Sequence, residues 1–317
     1  MTAQRQLLAR LINQVARGVP CALCVVVGAR GSTPQEPGAM LLVDAAGGTS
    51  GTIGGGCVEA EVRRHALRII PSGRSELLKL VLDHDYGWDD GLICGGRLDV
   101  AVVVVASAAE AESVGKALEQ IDRRQPASLP LRVEHEGRRL GFRVNIAPTP
   151  WLLVAGAGHV GAAVAKVAVG LDFRVVVFDD RADLLVPERL MRPIETVAGD
   201  ISQSLRQWPI DANTYIVIVT RGHRHDEQAL HAVLDSPARY IGMIGSRRKI
   251  RLIFDDLERM GVPRSKLEAV HTPIGLDIGA VTVPELAVSI AAELIQVRRA
   301  EKVQTVEGPF QLDIPAS

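Results

Sequence analysis

Aromatic side chains are scarce, at 3% of 317 residues, and neither sign of charge dominates, with 36 Lys and Arg against 37 Asp and Glu. A nucleic-acid surface wants stacking rings and a basic face, so no nucleic-acid partner is expected. Long hydrophobic runs are also missing. The strongest, residues 100–106, falls far short of the ~18 residues that cross a bilayer, which argues against a membrane partner. Four cysteines in this length do not make a disulfide scaffold. The first 18 residues read as an amphipathic helix with Leu7, Leu8, Leu11, Ile12 and Val15 on one side, not as a signal peptide. These absences predict a soluble, cytoplasmic protein. The length suits two domains of about 150 residues each.

What is present is organised around residues 151–180, WLLVAGAGHVGAAVAKVAVGLDFRVVVFDD. A short apolar strand runs into Gly156-Ala157-Gly158-His159-Val160-Gly161, an Ala/Val-rich helix follows, and a second strand ends at Asp179. In such a unit the first glycine permits the tight turn and the second lets a pyrophosphate approach the backbone. The third brings helix and strand close. The free N–H groups at the helix start attract an anion, and Asp179, about 20 residues on, stands where an acid bonds a ribose hydroxyl.

The half before this unit predicts a mixed α/β domain. A strand over residues 21–28 begins with Cys21-Ala22-Leu23-Cys24. Strand geometry points these two thiols to opposite faces, so both read as buried core and not as a redox pair. Residues 40–43 and a strand through Thr52 and Ile53 form a hairpin turning at Ala46-Gly47-Gly48. Next come Gly54-Gly55-Gly56-Cys57 and a helix running to about Ile70. The glycines let a ligand reach the backbone. The helix macrodipole at Cys57 favours a thiolate, and Glu59 and Glu61 complement the same helix end as caps. Cys94-Gly95-Gly96 repeats the pairing of cysteine with glycine after an acidic loop over residues 83–91. That loop lacks EF-hand spacing. Further on, a strand (97–106), a helix (108–122) and a hairpin (129–134 with 139–144) complete a domain over residues 1–146. Ala147-Pro148-Thr149-Pro150 reads as a stiff linker.

From residue 151 to 317 strands alternate with helices, which predicts a Rossmann-like, doubly wound parallel sheet with its ligand outside the strands' carboxyl ends. Strands are expected near Thr196 and over residues 215–220, 239–244 and 269–271. Unusual residues collect after three of them: Thr220-Arg221-Gly222-His223-Arg224-His225-Asp226, then Gly245-Ser246-Arg247-Arg248-Lys249, then His271-Thr272-Pro273-Ile274-Gly275. Ser246 as N-cap with Arg247, Arg248 and Lys249 in the first turn suggests a phosphate cradle, a solvated basic patch being the alternative. His223 and His225 invite a metal reading with Asp226 as third ligand, against a reading in which Asp226 and Glu227 favour their helix start and the histidines bond backbone or ligand. Thr282 and Glu285 announce the last helix with a capping box.

The ordered set GSTPQEPGAM, GTIGGGCVE, LICGG, GAGHVG, TRGHRHD, YIGMIGSRRK and HTPIGLDIGA resembles the XdhC/CoxI family of accessory proteins for xanthine and carbon monoxide dehydrogenases. The resemblance implies a chaperone more than a catalyst. Such a protein binds the molybdenum cofactor, as molybdopterin or its dinucleotide form, supports its sulfuration and inserts it into a xanthine dehydrogenase-type molybdoenzyme. It implies that Cys57 and Cys94 contact the cofactor's molybdenum. Gly55, Gly56, Gly95, Gly96, Gly156, Gly158, His159, Gly161, Asp179, Arg221, His223, Ser246, Arg247, Lys249 and Gly275 become its cofactor-binding candidates. A cysteine desulfurase partner and a homo-oligomer stay open, as does an NAD(P)-dependent oxidoreductase built on GAGHVG and Asp179.

Overall fold

The computed structural model describes residues 3–82, 96–300 and 305–312. In chain order the first elements are α1 (Ala3–Ala16), β1 (Cys21–Arg30), β2 (Met40–Asp44), β3 (Thr49–Gly51), α2 (Gly56–Ile69), β4 (Glu76–Leu82), β5 (Gly96–Val105), α3 (Glu112–Asp122), β6 (Ala127–His135) and β7 (Arg138–Ile146). There follow β8 (Trp151–Ala155), α4 (His159–Gly170), β9 (Arg174–Asp179), β10 (Glu195–Ala198), α5 (Ile201–Gln207), β11 (Thr214–Ile218), α6 (His223–Val233), β12 (Tyr240–Met243), α7 (Arg247–Arg259), α8 (Arg264–Glu268), α9 (Val283–Ala300) and β13 (Val306–Gln311). They divide into two compact units, Thr149–Lys302 on one side and Thr2–Pro148 with Val303–Ser317 on the other.

The N-terminal unit is built on a sheet in the order β13-β7-β6-β4-β5-β1-β2-β3, antiparallel throughout except where β4 meets β6. Its strands alternate between two cores, as the two-residue period of a strand requires. Cys21, Leu23 and Val25 of β1 face the core shared with α1 and α3, while Ala22, Cys24 and Val26 face the one shared with α2. The two thiols therefore lie on opposite faces, as expected. The hairpin forms with Leu42 opposite Ser50, and Asp44 accepts hydrogen bonds from the Ala46 and Gly48 amides to hold its turn. One expectation needs correction. The second domain does not run to residue 317, because β13 pairs antiparallel with β7 of the first. β7 is the outer strand of a polar-edged hairpin, and an added strand satisfies its open edge.

The C-terminal unit has the parallel order β10-β9-β8-β11-β12. Counted within the unit this is 3-2-1-4-5, the doubly wound arrangement, and the order reverses between β8 and β11. The strands read as unbroken apolar runs because both faces are covered. Trp151, Leu153 and Ala155 pack with α5, α6 and α7, while Leu152 and Val154 pack with α4 and α9. The strand expected over residues 269–271 is a single bridge, His271 to Gly242. Pro273 cannot donate to a ladder, which stops the pairing there.

Candidate functional site

In the C-terminal unit the glycine turn follows β8 at the point where strand order reverses. Gly156 has φ +114°, and a side chain on it would collide with the Val219 carbonyl at the end of β11. A Cβ on Gly161 would collide with the Gly156 carbonyl oxygen. Both positions are closed by packing. Gly158 differs, for a Cβ there would meet nothing within 4 Å. Gly158 is also the N-cap of α4 and offers no capping side chain, so the first amides of α4 remain for a ligand. His159, the first helical residue, is exposed. This division of labour is what the motif predicts, and it fits a phosphate laid against Gly158.

Asp179 is used differently from the expected ribose contact. It is 1% exposed and accepts from the Ala157 amide at 2.7 Å, the Arg181 amide at 3.0 Å, and Arg181 Nε and Nη2, each at 2.9 Å. A carboxylate has about four acceptor positions, and these four bonds fill them. Burial pushes its carboxyl up, but the Arg181 guanidinium and the two amides outweigh that and hold it down at about 2. Asp179 thus pins the glycine turn from below. The neighbouring Asp180 is exposed and accepts from Arg221 at 2.7 Å, joining the loop after β9 to the loop after β11. Arg221 also reaches His225 at 3.3 Å.

The buried acid of the next loop is Asp226, fully inaccessible. It accepts from the Thr220 amide and hydroxyl and forms an ion pair with Lys249. Asp226 is therefore a brace between α6 and α7, not a metal ligand. His225 is likewise drawn to Arg221. His223, at the start of α6, instead faces Glu227 and Asp256, each at 3.5 Å. Ser246 caps α7 by accepting from the Lys249 amide, as expected. A shallow depression of about 370 Å³ opens here, lined by His223, Ser246, Arg248, Lys249 and Leu252. Of the three cations expected in a phosphate cradle, Arg248 and Lys249 are in this lining and Arg247 is not.

Gly275 supports packing. Its φ is +96°, its amide donates to Glu293, and a Cβ would run into the Ser289 hydroxyl. Glu293 also accepts from Tyr240 at 2.5 Å and pairs with His271 Nδ1 at 3.0 Å. Burial pushes this carboxyl up, yet bonds from His271, Tyr240 and Gly275 carry it below the ordinary range.

In the N-terminal unit Gly55 and Gly56 have φ of +72° and +54°, with open space where side chains would lie. Gly54 is backed by Pro34. Cys57 stands half-buried in the first turn of α2, whereas Cys21 and Cys24 are sealed in the cores. Burial, with Asp44 adding, pushes the Cys21 thiol up to about 11, and burial alone raises Cys24 further. Glu59 caps this loop, accepting from Thr52 Oγ1 at 2.6 Å and from the Gly55 and Ile53 amides at 3.0 and 3.2 Å. A carboxylate already compensates the helix start beside Cys57. Gly96 is closed, since a Cβ would strike the Ser32 carbonyl. Cys94 and Gly95 lie outside the described residues.

Sequence reasoning missed Asp180, Asp256 and Glu293 as members of these clusters. Glu293 did leave a signal, an acid inside the apolar stripe Ser289-Ile290-Ala291-Ala292-Glu293-Leu294. Asp256 left none, because its partners lie about 30 residues away on another helix.

Known proteins are similar to the chain in sequence and in fold. Residues 152–294 match the XdhC Rossmann domain, and residues 14–81 match the XdhC and CoxI family. The chain is 30% identical over 281 residues to "Uncharacterized protein YqeB" of Escherichia coli, taking in 88% of this chain but 44% of that protein, so it spans less than half of that relative. It is 25% identical over 311 residues to "Molybdenum cofactor insertion chaperone PaoD" of Escherichia coli, over 93% of this chain and 88% of that one. It is 23% identical over 313 residues to a Bacillus subtilis protein named as a probable xanthine dehydrogenase component, over 87% of this chain and 93% of that one. A crystal structure described as a xanthine dehydrogenase from Bacillus halodurans has the same fold, with a TM-score of 0.81 at 21% identity over 93% of this chain and 96% of that chain.

Proposed function

From the premise that the chain belongs to the XdhC and CoxI family, we propose that it is a maturation factor that binds the molybdenum cofactor and delivers it to a xanthine dehydrogenase-type molybdoenzyme. One observation carries this reading. Among the described residues, Cys57 is the one cysteine outside the cores, and it sits at a helix start beside two glycines with open flanks. Soft sulfur suits molybdenum and sulfur transfer. The similarity to a protein named as a molybdenum cofactor insertion chaperone, over nearly the whole chain, supports it further.

When bound, the cofactor supplies a molybdenum centre that needs a terminal sulfur, and an anionic phosphate or dinucleotide tail. In the N-terminal unit, Cys57 would hold the metal side, with Gly55 and Gly56 leaving the backbone approachable. Cys94 remains its expected companion. In the C-terminal unit, Gly158 and the amides of α4 would hold a phosphate of the cofactor or of a separate nucleotide. Support for sulfuration, with a cysteine desulfurase as donor, and action in the cytoplasm, belong to the same proposal. The nicotinamide alternative leans on Asp179, whose acceptor positions are taken by Ala157 and Arg181.

The test is purification without oxygen from a cofactor-competent host, followed by pterin and molybdenum analysis. One pterin per chain is expected, or stoichiometric binding when cofactor is supplied. Tight NADH binding with turnover of an alcohol or aldehyde, and no pterin, overturns the proposal.

A further inference from the structure

We infer that His223, Glu227 and Asp256 form a binding site for a divalent transition-metal ion of the zinc or manganese type. The proposal does not depend on the molybdenum reading. His223 and Glu227 are one helical turn apart on α6, so they share a face, and Asp256 comes to them from α7. His223 Nε2 lies 3.5 Å from Glu227 Oε2 and 3.5 Å from Asp256 Oδ2. All three ligand atoms fall within 4.8 Å of one another.

These separations decide between two uses of the cluster. Hydrogen bonds to nitrogen run at about 2.7–3.2 Å, so 3.5 Å is long for a direct bond in either pair. Two ligands each about 2.1 Å from a tetrahedral metal lie about 3.4 Å apart, which is close to the two separations from His223. One imidazole with two carboxylates favours zinc or manganese over magnesium and calcium, which take oxygen donors alone. Asp256 is further oriented by Arg259, which bonds its other carboxylate oxygen. Partners of that kind hold a ligating carboxylate in place.

Three protein ligands leave coordination positions open. His223 also lines the depression shared with Ser246, Arg248 and Lys249. A metal there can therefore take water, or an anion held by those two cations, as its remaining ligand. The cluster is half-buried and not sealed, so an ion can enter.

Manganese is the probe of choice, because the chain's cysteines compete for zinc but hold manganese poorly. The full chain is stripped with a chelator and titrated with Mn²⁺, free ion being followed by electron paramagnetic resonance. One saturable site of sub-millimolar affinity is expected, displaced by Zn²⁺ and poorly by Mg²⁺. His223→Gln and Asp256→Asn should each weaken it roughly tenfold or more, while Glu112→Gln, on α3, should leave it intact. Metal should also raise the melting temperature of the wild type and of Glu112→Gln but not of the two ligand variants. Absence of saturable Mn²⁺ binding in the wild type overturns the site. So does unchanged affinity in both ligand variants, which would make the cluster an ion pair only.

Discussion

Two glycine turns carry the candidate chemistry, one in each unit, and they are built on different plans. In the C-terminal turn Gly156 and Gly161 are closed by backbone contacts, and only Gly158 is free. In the N-terminal turn Gly54 alone is backed, while Gly55 and Gly56 stand at positive φ beside open space. Each turn has a carboxylate bonded to its amides, but the two differ in charge. Asp179 is buried and paired with Arg181, so its charge is neutralised inside the fold. Glu59 is half-buried and held by the Thr52 hydroxyl and two amides. The Rossmann turn leaves the first amides of its helix without a capping side chain. At the N-terminal turn a carboxylate is already in place, which leaves the thiol as the group on offer.

Breaking the closed positions should have the largest effect. Gly161→Ala drives a Cβ into the Gly156 carbonyl, and backbone on both sides cannot yield cheaply. A loss of about 4 kcal/mol is expected, at the exceptional end for a single substitution. Gly158→Ala should melt within a degree or two of wild type and lose only ligand. Urea denaturation of the pair separates the two kinds of glycine. Equal stability losses would show that the distinction drawn between them is wrong.

The next effect in size concerns the brace below the depression. Asp226→Ala leaves the Thr220 amide without its acceptor, the Thr220 hydroxyl with only the longer bond to the Gly222 carbonyl, and Lys249 without its counter-charge. About 3 kcal/mol should go, the lower end for breaking a buried pair, because Lys249 can turn toward water. Lys249→Met should cost less in stability than Asp226→Ala, since Thr220 still satisfies the acid. A reversed order would mean that the cation matters more to the fold than the buried acid.

Much of this was legible beforehand, and the reasons are local. The turn residues, the doubly wound sheet and the Thr282–Glu285 capping box are short-range patterns. The capping box forms as expected, Glu285 accepting from the Thr282 amide and Thr282 from the Glu285 amide. What stayed hidden is long-range. Nothing near residue 306 says that β13 will return to β7 across the whole second unit. Asp179 sits where a ribose acid belongs by spacing, but the placement of Arg181 decides its use. The same holds for Asp226 and His223. Close in sequence, they serve a buried brace and a half-exposed cluster because their partners differ, Thr220 and Lys249 for Asp226 but Glu227 and Asp256 for His223.

Acid should loosen the hold that Asp179 has on the Rossmann turn. The Asp179 carboxyl is held at about 2, below its ordinary 3.8, so its stabilisation is complete at neutral pH. As pH falls through 3.8 the unfolded chain gains the proton first, and the contribution is gone once the folded value is passed. The amount is on the order of 2 kcal/mol. Measured by urea denaturation between pH 6 and pH 2, the gap between wild type and Asp179→Asn should close over that window. A gap independent of pH would mean that the charge does not hold the turn.

The smallest effect on stability should fall on Cys57, and there the two turns separate most clearly in function. The side chain is small and half-exposed at a helix start, so its removal leaves little cavity. Cys57→Ala should change stability by less than about 0.5 kcal/mol. Alkylation of the folded protein should mark Cys57 and spare Cys21 and Cys24, whose thiols are sealed on opposite faces of β1. Unfolding should expose all three, which controls for access. The functional loss should be large by contrast. Cys57→Ala purified without oxygen should retain little molybdenum or fail to support activation of the partner enzyme, with melting unchanged. Cys57→Ser narrows the question, because it keeps the size and replaces a soft ligand by a hard one. If serine behaves like alanine, the sulfur itself is needed. If both variants hold and deliver cofactor as wild type does, Cys57 only fills space, and the open glycines beside it must serve another ligand.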